Sequence, residues 1–165
     1  ARPARAVRSS SDYARGVVLR EVMTESVVTA GPDDSVRAVA ALMRERNVGS
    51  VIVVAADGTP SGFVTDRDLA TGVLADGQDA SAAVRGYASA PVVTASPELP
   101  VLEAVELMAG HGIRRLPVME DGRLTGIVTL DDLAVRTGDL ELAASITARV
   151  TRAALPGFYF HHRGE

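Results

Sequence analysis

No cysteine and no lysine occur anywhere in this chain of 165 residues. The first absence excludes disulfides, cysteine-ligated zinc and thiol catalysis, and it fits a cytoplasmic protein. The second excludes Schiff-base chemistry and the phosphate-binding lysine of a P-loop. Long apolar runs are missing as well: nothing approaches the roughly 20 residues that span a bilayer. The Arg-bearing N-terminus lacks the apolar stretch of a secretory signal. An excess of positive charge is also missing. The formal net charge is −4, which argues against binding a nucleic-acid backbone. The sequence has no G-x-G-x-x-G, no H-E-x-x-H and no nucleophile elbow, so it does not read as an enzyme. With three Phe and three Tyr, the core must be built from aliphatic side chains.

What the chain does have is a repeat. Val27-Val28-Thr29 returns as Val92-Val93-Thr94, and Gly62-Phe63-Val64-Thr65-Asp66-Arg67-Asp68-Leu69-Ala70 returns as Gly126-Ile127-Val128-Thr129-Leu130-Asp131-Asp132-Leu133-Ala134. Two copies of one supersecondary unit are implied. A unit of about 60 residues is marginal alone, so the copies are expected to share their stabilisation. The divisions expected are a tail over 1–20, one repeat over 21–80, a second over 85–145, and a C-terminal helix end with an aromatic tail over 146–165.

Each copy reads strand, helix, strand, strand, helix. In the first, Val27–Thr29 is a strand, and Pro32-Asp33-Asp34-Ser35 supplies turn and cap chemistry. Val36, Val39, Ala40 and Met43 then form one helical stripe. Asn47 and Gly49 can end that helix. Val51–Val54 is a buried strand, Asp57-Gly58 a turn, Phe63–Thr65 a strand, and residues 66–74 a helix. In the second, the strand is Val92–Thr94 and the stripe is Val101, Ala104, Val105 and Met108, with Pro100 at the helix start. Leu116–Met119 and Ile127–Thr129 are strands around an Asp121-Gly122 turn. A helix follows from Leu130, with Gly138 as an interruption. The fold class expected is α/β (α+β), with two pseudo-twofold-related β-α-β-β-α units in one module. Pro156-Gly157-Phe158-Tyr159-Phe160-His161-His162 gathers half of the aromatic residues and reads equally as a docking segment or a frayed end.

The repeated Gly-apolar-Val-Thr-x-x-Asp motif places Thr65 and Thr129 at strand ends, with Asp68 and Asp132 three residues on. Two readings stand. Thr-x-x-Asp has the form of a capping box, in which the threonine caps the helix and the acid reaches back to a free N–H. The same carboxylate can accept hydrogen bonds from the vicinal hydroxyls of a ribose, as an acidic residue does in dinucleotide-binding folds. Beside it, His111-Gly112-Ile113-Arg114-Arg115-Leu116-Pro117-Val118 brings two guanidinium groups to a strand entrance, where they suit phosphate oxygens or pair with carboxylates. The first copy has Asn47-Val48-Gly49-Ser50-Val51-Ile52-Val53 there, without arginine or proline, so the two places are not equivalent.

Over roughly residues 20–140 these motifs resemble tandem cystathionine-β-synthase (CBS) domains, the Bateman module, and in particular the bacterial stand-alone CBS pairs such as the hypoxic-response type. The resemblance implies a non-catalytic sensor that binds adenosyl ligands (AMP, ADP or ATP) as regulatory ligands in a cleft between the repeats. It also implies a homodimer formed through helices, an unknown protein target, no nucleic acid and no membrane. By position, it implies that Thr65 and Asp68 hold ribose in one site and Thr129 and Asp132 in the other. Val48, Gly49 and Ser50, and Ile113, Arg114 and Arg115, would line the adenine or phosphate region, and Thr29 and Thr94 would face the base. The first copy departs from the pattern at Ile52, where the second has Pro117. That favours the second site. The alternative is a structural or interaction module without a ligand.

Overall fold

The computed structural model describes residues 16–136 and 140–154. The expectations for the N-terminal tail before residue 16, for Gly138 and for the aromatic segment 156–162 lie outside the described residues.

Mixed helices and strands make up an α+β chain. In order they are α1 (Leu19–Val22), β1 (Thr29–Ala30), α2 (Val36–Arg46), β2 (Ser50–Val54), β3 (Pro60–Thr65) and α3 (Asp66–Leu69). The last of these runs on as a π-helical turn over Ala70–Leu74, and a 3-10 turn follows at Val84–Gly86. Then come α4 (Val101–His111), β4 (Arg115–Glu120), β5 (Arg123–Thr129), α5 (Leu130–Arg136) and α6 (Leu140–Ala154). The helix expected from Leu130, with Gly138 as an interruption, is described as α5 and α6 on either side of residues 137–139. Among the described residues, no helix is long and apolar enough to cross a membrane.

The chain gathers into two compact units. One holds Ser26–Val92 and Glu120–Thr125; the other holds the described residues up to Glu25, Val93–Met119 and those from Gly126 on. In the first unit, β1 pairs parallel with β2 and β2 antiparallel with β3. One face of this sheet carries Ala30, Val51, Val53 and Val64, which join Val36, Val39 and Met43 of α2 in a buried cluster. Strand alternation sends Thr29, Ser50, Ile52, Phe63 and Thr65 to the other face, in register as Thr29–Ile52–Phe63 and Ser50–Thr65. Ser35 caps α2, its hydroxyl accepting the Ala38 N–H at 3.2 Å. Asn47, at φ 53°, closes the other end.

In the second unit, Leu116, Val118 and Val128 from β4 and β5 meet Val101, Ala104, Val105 and Met108 of α4. Ile146 and Val150 of α6 complete that core. The strand expected over Val92–Thr94 does not form here; a single parallel bridge, Ala95 to Val118, stands in its place. The reason lies in the facing strand. In the first repeat the Ile52 N–H donates to the Val28 carbonyl at 3.2 Å. Its counterpart Pro117 has no N–H to offer Val93.

The feature that organises both units is a leader segment, one ahead of each repeat, that completes the body of the other. Thr24 bridges to Ile127, and Ser89 bridges to Phe63. The Leu19 N–H donates to the Leu99 carbonyl and the Arg20 N–H to Pro97; the Val84 N–H donates to Asp34 and the Arg85 N–H to Pro32. The Val101 N–H donates to Val17 and the Val36 N–H to Ala82. Arg20 pairs with Glu98 at 2.7 Å, and Arg85 pairs with Asp33. Leu19 and Val22 are buried with α4 and β4, and Val84 is buried with α2 and β2.

This crossing accounts for the glycine of the repeated motif. A Cβ on Gly62 would come within 2.7 Å of the Ala88 Cβ, and one on Gly126 would meet Met23 Sδ at 2.7 Å. Both neighbours belong to the leaders. The methionine tip can swing aside, whereas the alanine Cβ is fixed to its backbone. Overpacking costs about 1–3 kcal/mol. Thermal denaturation is therefore expected to show Gly62→Ala losing more stability than Gly126→Ala.

Candidate functional site

Each candidate constellation lies within one unit. Thr29, Val48, Gly49, Ser50, Thr65 and Asp68 belong to the first, and Thr94, Ile113, Arg114, Arg115, Pro117, Thr129 and Asp132 to the second. A hydrogen bond of the same kind ties strand entrance to motif in both. The Asp66 N–H donates to the Gly49 carbonyl at 3.1 Å, and the Leu130 N–H donates to the Arg114 carbonyl at 2.9 Å.

Both Thr-x-x-Asp motifs form closed boxes. The Thr65 N–H and hydroxyl each donate to Asp68 Oδ2 at 2.8 Å, while the hydroxyl accepts the Asp68 N–H at 3.2 Å. In the second copy, the Thr129 N–H and hydroxyl donate to Asp132 Oδ2 at 3.0 and 2.7 Å, and the Asp132 N–H returns at 3.0 Å. The capping geometry is therefore present at both places. It engages one carboxylate oxygen only. Asp68 Oδ1 has no protein donor among the described residues, and Asp132 Oδ1 has Arg136 at 3.7 Å, too long for a hydrogen bond. All four side chains are half-buried, so the remaining oxygens can accept from outside the chain.

The other expected residues divide by position. Ser50 is the cross-strand partner of Thr65 on the sheet face away from the core. By alternation from the buried Leu116 and Val128, Arg115 and Thr129 share the corresponding face of the second unit. Pro117, next along that face, is buried. Thr29 and Thr94 are exposed, at β1 and just ahead of the Ala95 bridge. Val48 and Ile113 instead close helix ends, their N–H groups donating to Met43 and Met108 at 3.0 Å, and both pack on the cores.

Two features escaped the sequence reading. Arg136 lies one helical turn from Asp132, and its i,i+4 spacing was a signal that could have found it. Ile52 is buried at 1% exposure, yet it lies on the polar face and outside both core clusters; only strand register reveals this. Among the described residues, no group of three or more His, Cys, Asp or Glu could hold a metal ion.

The profile of the CBS domain matches the chain twice, over residues 19–75 and 84–136. The CBS domain-containing protein YhcV of Bacillus subtilis (strain 168) is 37% identical over 133 residues, which are 81% of this chain and 94% of that protein. The crystal structure of Hypoxic Response Protein I with two coordinated zinc ions aligns at 31% identity and a TM-score of 0.66, covering 72% of this chain and 98% of that one. The CBS domain protein PAE2072 from Pyrobaculum aerophilum, complexed with AMP, aligns at 25% identity and a TM-score of 0.69, covering 78% and 99%.

The closed boxes make a prediction that concerns stability alone. Thr129→Val removes the acceptor for the Asp132 N–H and the donor to its carboxylate, and should cost about 1 kcal/mol in urea unfolding. Thr129→Ser retains the hydroxyl and should recover most of the loss.

Proposed function

The chain belongs to the CBS-domain family, and on that premise we propose that it is a non-catalytic regulatory module binding an adenosyl ligand of the AMP, ADP or ATP class. The observation that carries this reading is the half-used carboxylate. In both repeats the box consumes Oδ2, while Oδ1 is left to accept a hydroxyl from a ligand. Ribose is the adenosyl part that presents such hydroxyls. Ser50 and Thr65 in one unit, and Arg115 and Thr129 in the other, extend a polar surface from each carboxylate. The AMP complex of PAE2072 supports the ligand class. Binding acts as a signal only if the ligand favours one arrangement of the protein over another.

The closed boxes also favour a second reading, a structural or interaction module with no ligand. The exposed side of α6 would serve either version in homodimer formation: Leu140, Ala144, Thr147 and Ala148 are exposed there and carry no charge.

Titration calorimetry with AMP on the full chain separates the two readings. Asp68→Asn and Asp132→Asn retain a carbonyl oxygen for the box but lose the carboxylate. Each is expected to weaken AMP binding at its own repeat by tenfold or more, an effect on the scale of one charge-assisted hydrogen bond of about 1.5–3 kcal/mol. In a melt at 100 times the dissociation constant, AMP should stabilise the wild type by about 2.7 kcal/mol. No heat and no shift with any adenosyl ligand would leave the ligand-free module.

A further inference from the structure

The two repeats offer a ligand opposite electrostatic surroundings. On the box helix and strand entrance of the first repeat the charged groups are Asp66, Arg67 and Asp68, a net negative set. At the matching positions of the second they are Arg114, Arg115, Asp131, Asp132 and Arg136, a net positive set. The cations are concentrated where the first repeat has its smallest residues: Arg114 and Arg115 replace Gly49 and Ser50, and Arg136 replaces Gly72. Arg44 and Arg46 of the first repeat belong to the last turn of α2. Cations there answer the helix dipole.

The placement of the second set suits an anion. Arg115 is half-buried on the sheet face that carries Thr129. Arg114 abuts the start of α5 through its carbonyl. Neither guanidinium has a hydrogen-bond or ion-pair partner among the described residues. Arg136 stands 3.7 Å from the oxygen of Asp132 that the box leaves over. The second repeat thus carries Arg115 on the face of Thr129 and Arg136 beside Asp132, with Arg114 at the same strand entrance. Guanidinium pairs with phosphate through parallel N–H···O bonds. In the first repeat the equivalent positions present a serine hydroxyl and bare backbone, and there Asp66 and Asp68 outnumber the one cation, Arg67, so the local charge disfavours a phosphate.

Resting on the adenosyl reading, we infer that the second repeat selects a phosphorylated adenosyl ligand, while the first selects one without phosphate. One chain would then report on two chemically different members of the adenosyl class.

The test uses AMP and adenosine as probes on the full chain, with one repeat silenced at a time. In Asp68→Asn, where the second site remains, AMP should bind roughly tenfold or more tighter than adenosine, and that preference should shrink as salt rises. Adding Arg114→Gln and Arg115→Gln keeps the side-chain stems but removes the charges, and should weaken AMP far more than adenosine, bringing the two ligands within about threefold. In Asp132→Asn, where the first site remains, adenosine should bind at least as tightly as AMP. An equal preference for AMP in both single variants overturns the inference, as does a preference that survives the loss of both arginines. If neither probe binds the wild type, the adenosyl reading itself fails. Binding without discrimination removes only the charge assignment.

Discussion

Leader exchange is the constraint on which the rest of this molecule depends. Each repeat supplies a helix and a pair of hydrogen-bonded strands but lacks the segment that covers its last strand. That segment comes from ahead of the other copy. Thr24 on Ile127 and Ser89 on Phe63 are one interaction made twice, and so are the Arg20–Glu98 and Arg85–Asp33 pairs. The surface ion pairs add little on their own. The weight falls on Leu19, Val22 and Val84, all buried at 2% exposure or less. A body that small, left without its leader, would open apolar surface that it cannot spare.

The same crossing fixes where the polar motif can sit. The leader passes over the glycine that begins Gly-apolar-Val-Thr, which leaves no room for a side chain at that end of the strand. Three residues later the strand ends in a threonine, and the box turns the chain into a helix. The box is thus a structural joint and a candidate site at once. These roles do not compete, because they use different oxygens of one carboxylate. A capping acid with both oxygens turned inward would have served stability alone.

Much of this was legible from residues alone. Of the α2 stripe, Val36, Val39 and Met43 face the core while Ala40, expected with them, is exposed; the α4 stripe of Val101, Ala104, Val105 and Met108 is buried throughout. The turns at Asp57-Gly58 and Asp121-Gly122 lie between the strands they were expected to join. The family was legible because its motif occurs twice in order. Val92–Thr94 misled, since its β-branched composition favours a strand while the missing N–H of Pro117 denies it a partner. Composition registers the propensity of a segment, but not whether its neighbour can pair with it. For Val48 and Ile113, expected at a ligand surface, the fold adds a packing contact with the cores that their position at a strand entrance did not reveal.

The sequence by itself determined the local units: amphipathic helices, β-branched strands, turns, and two copies of a threonine–aspartate joint. It did so because periodicity and capping depend on residues within a few positions of one another. Which leader covers which strand, why the motif begins with glycine, and which carboxylate oxygen is left over were decided only by tertiary structure. Those depend on contacts between segments dozens of residues apart, where backbone approach and hydrogen-bond geometry, not residue type, set the outcome.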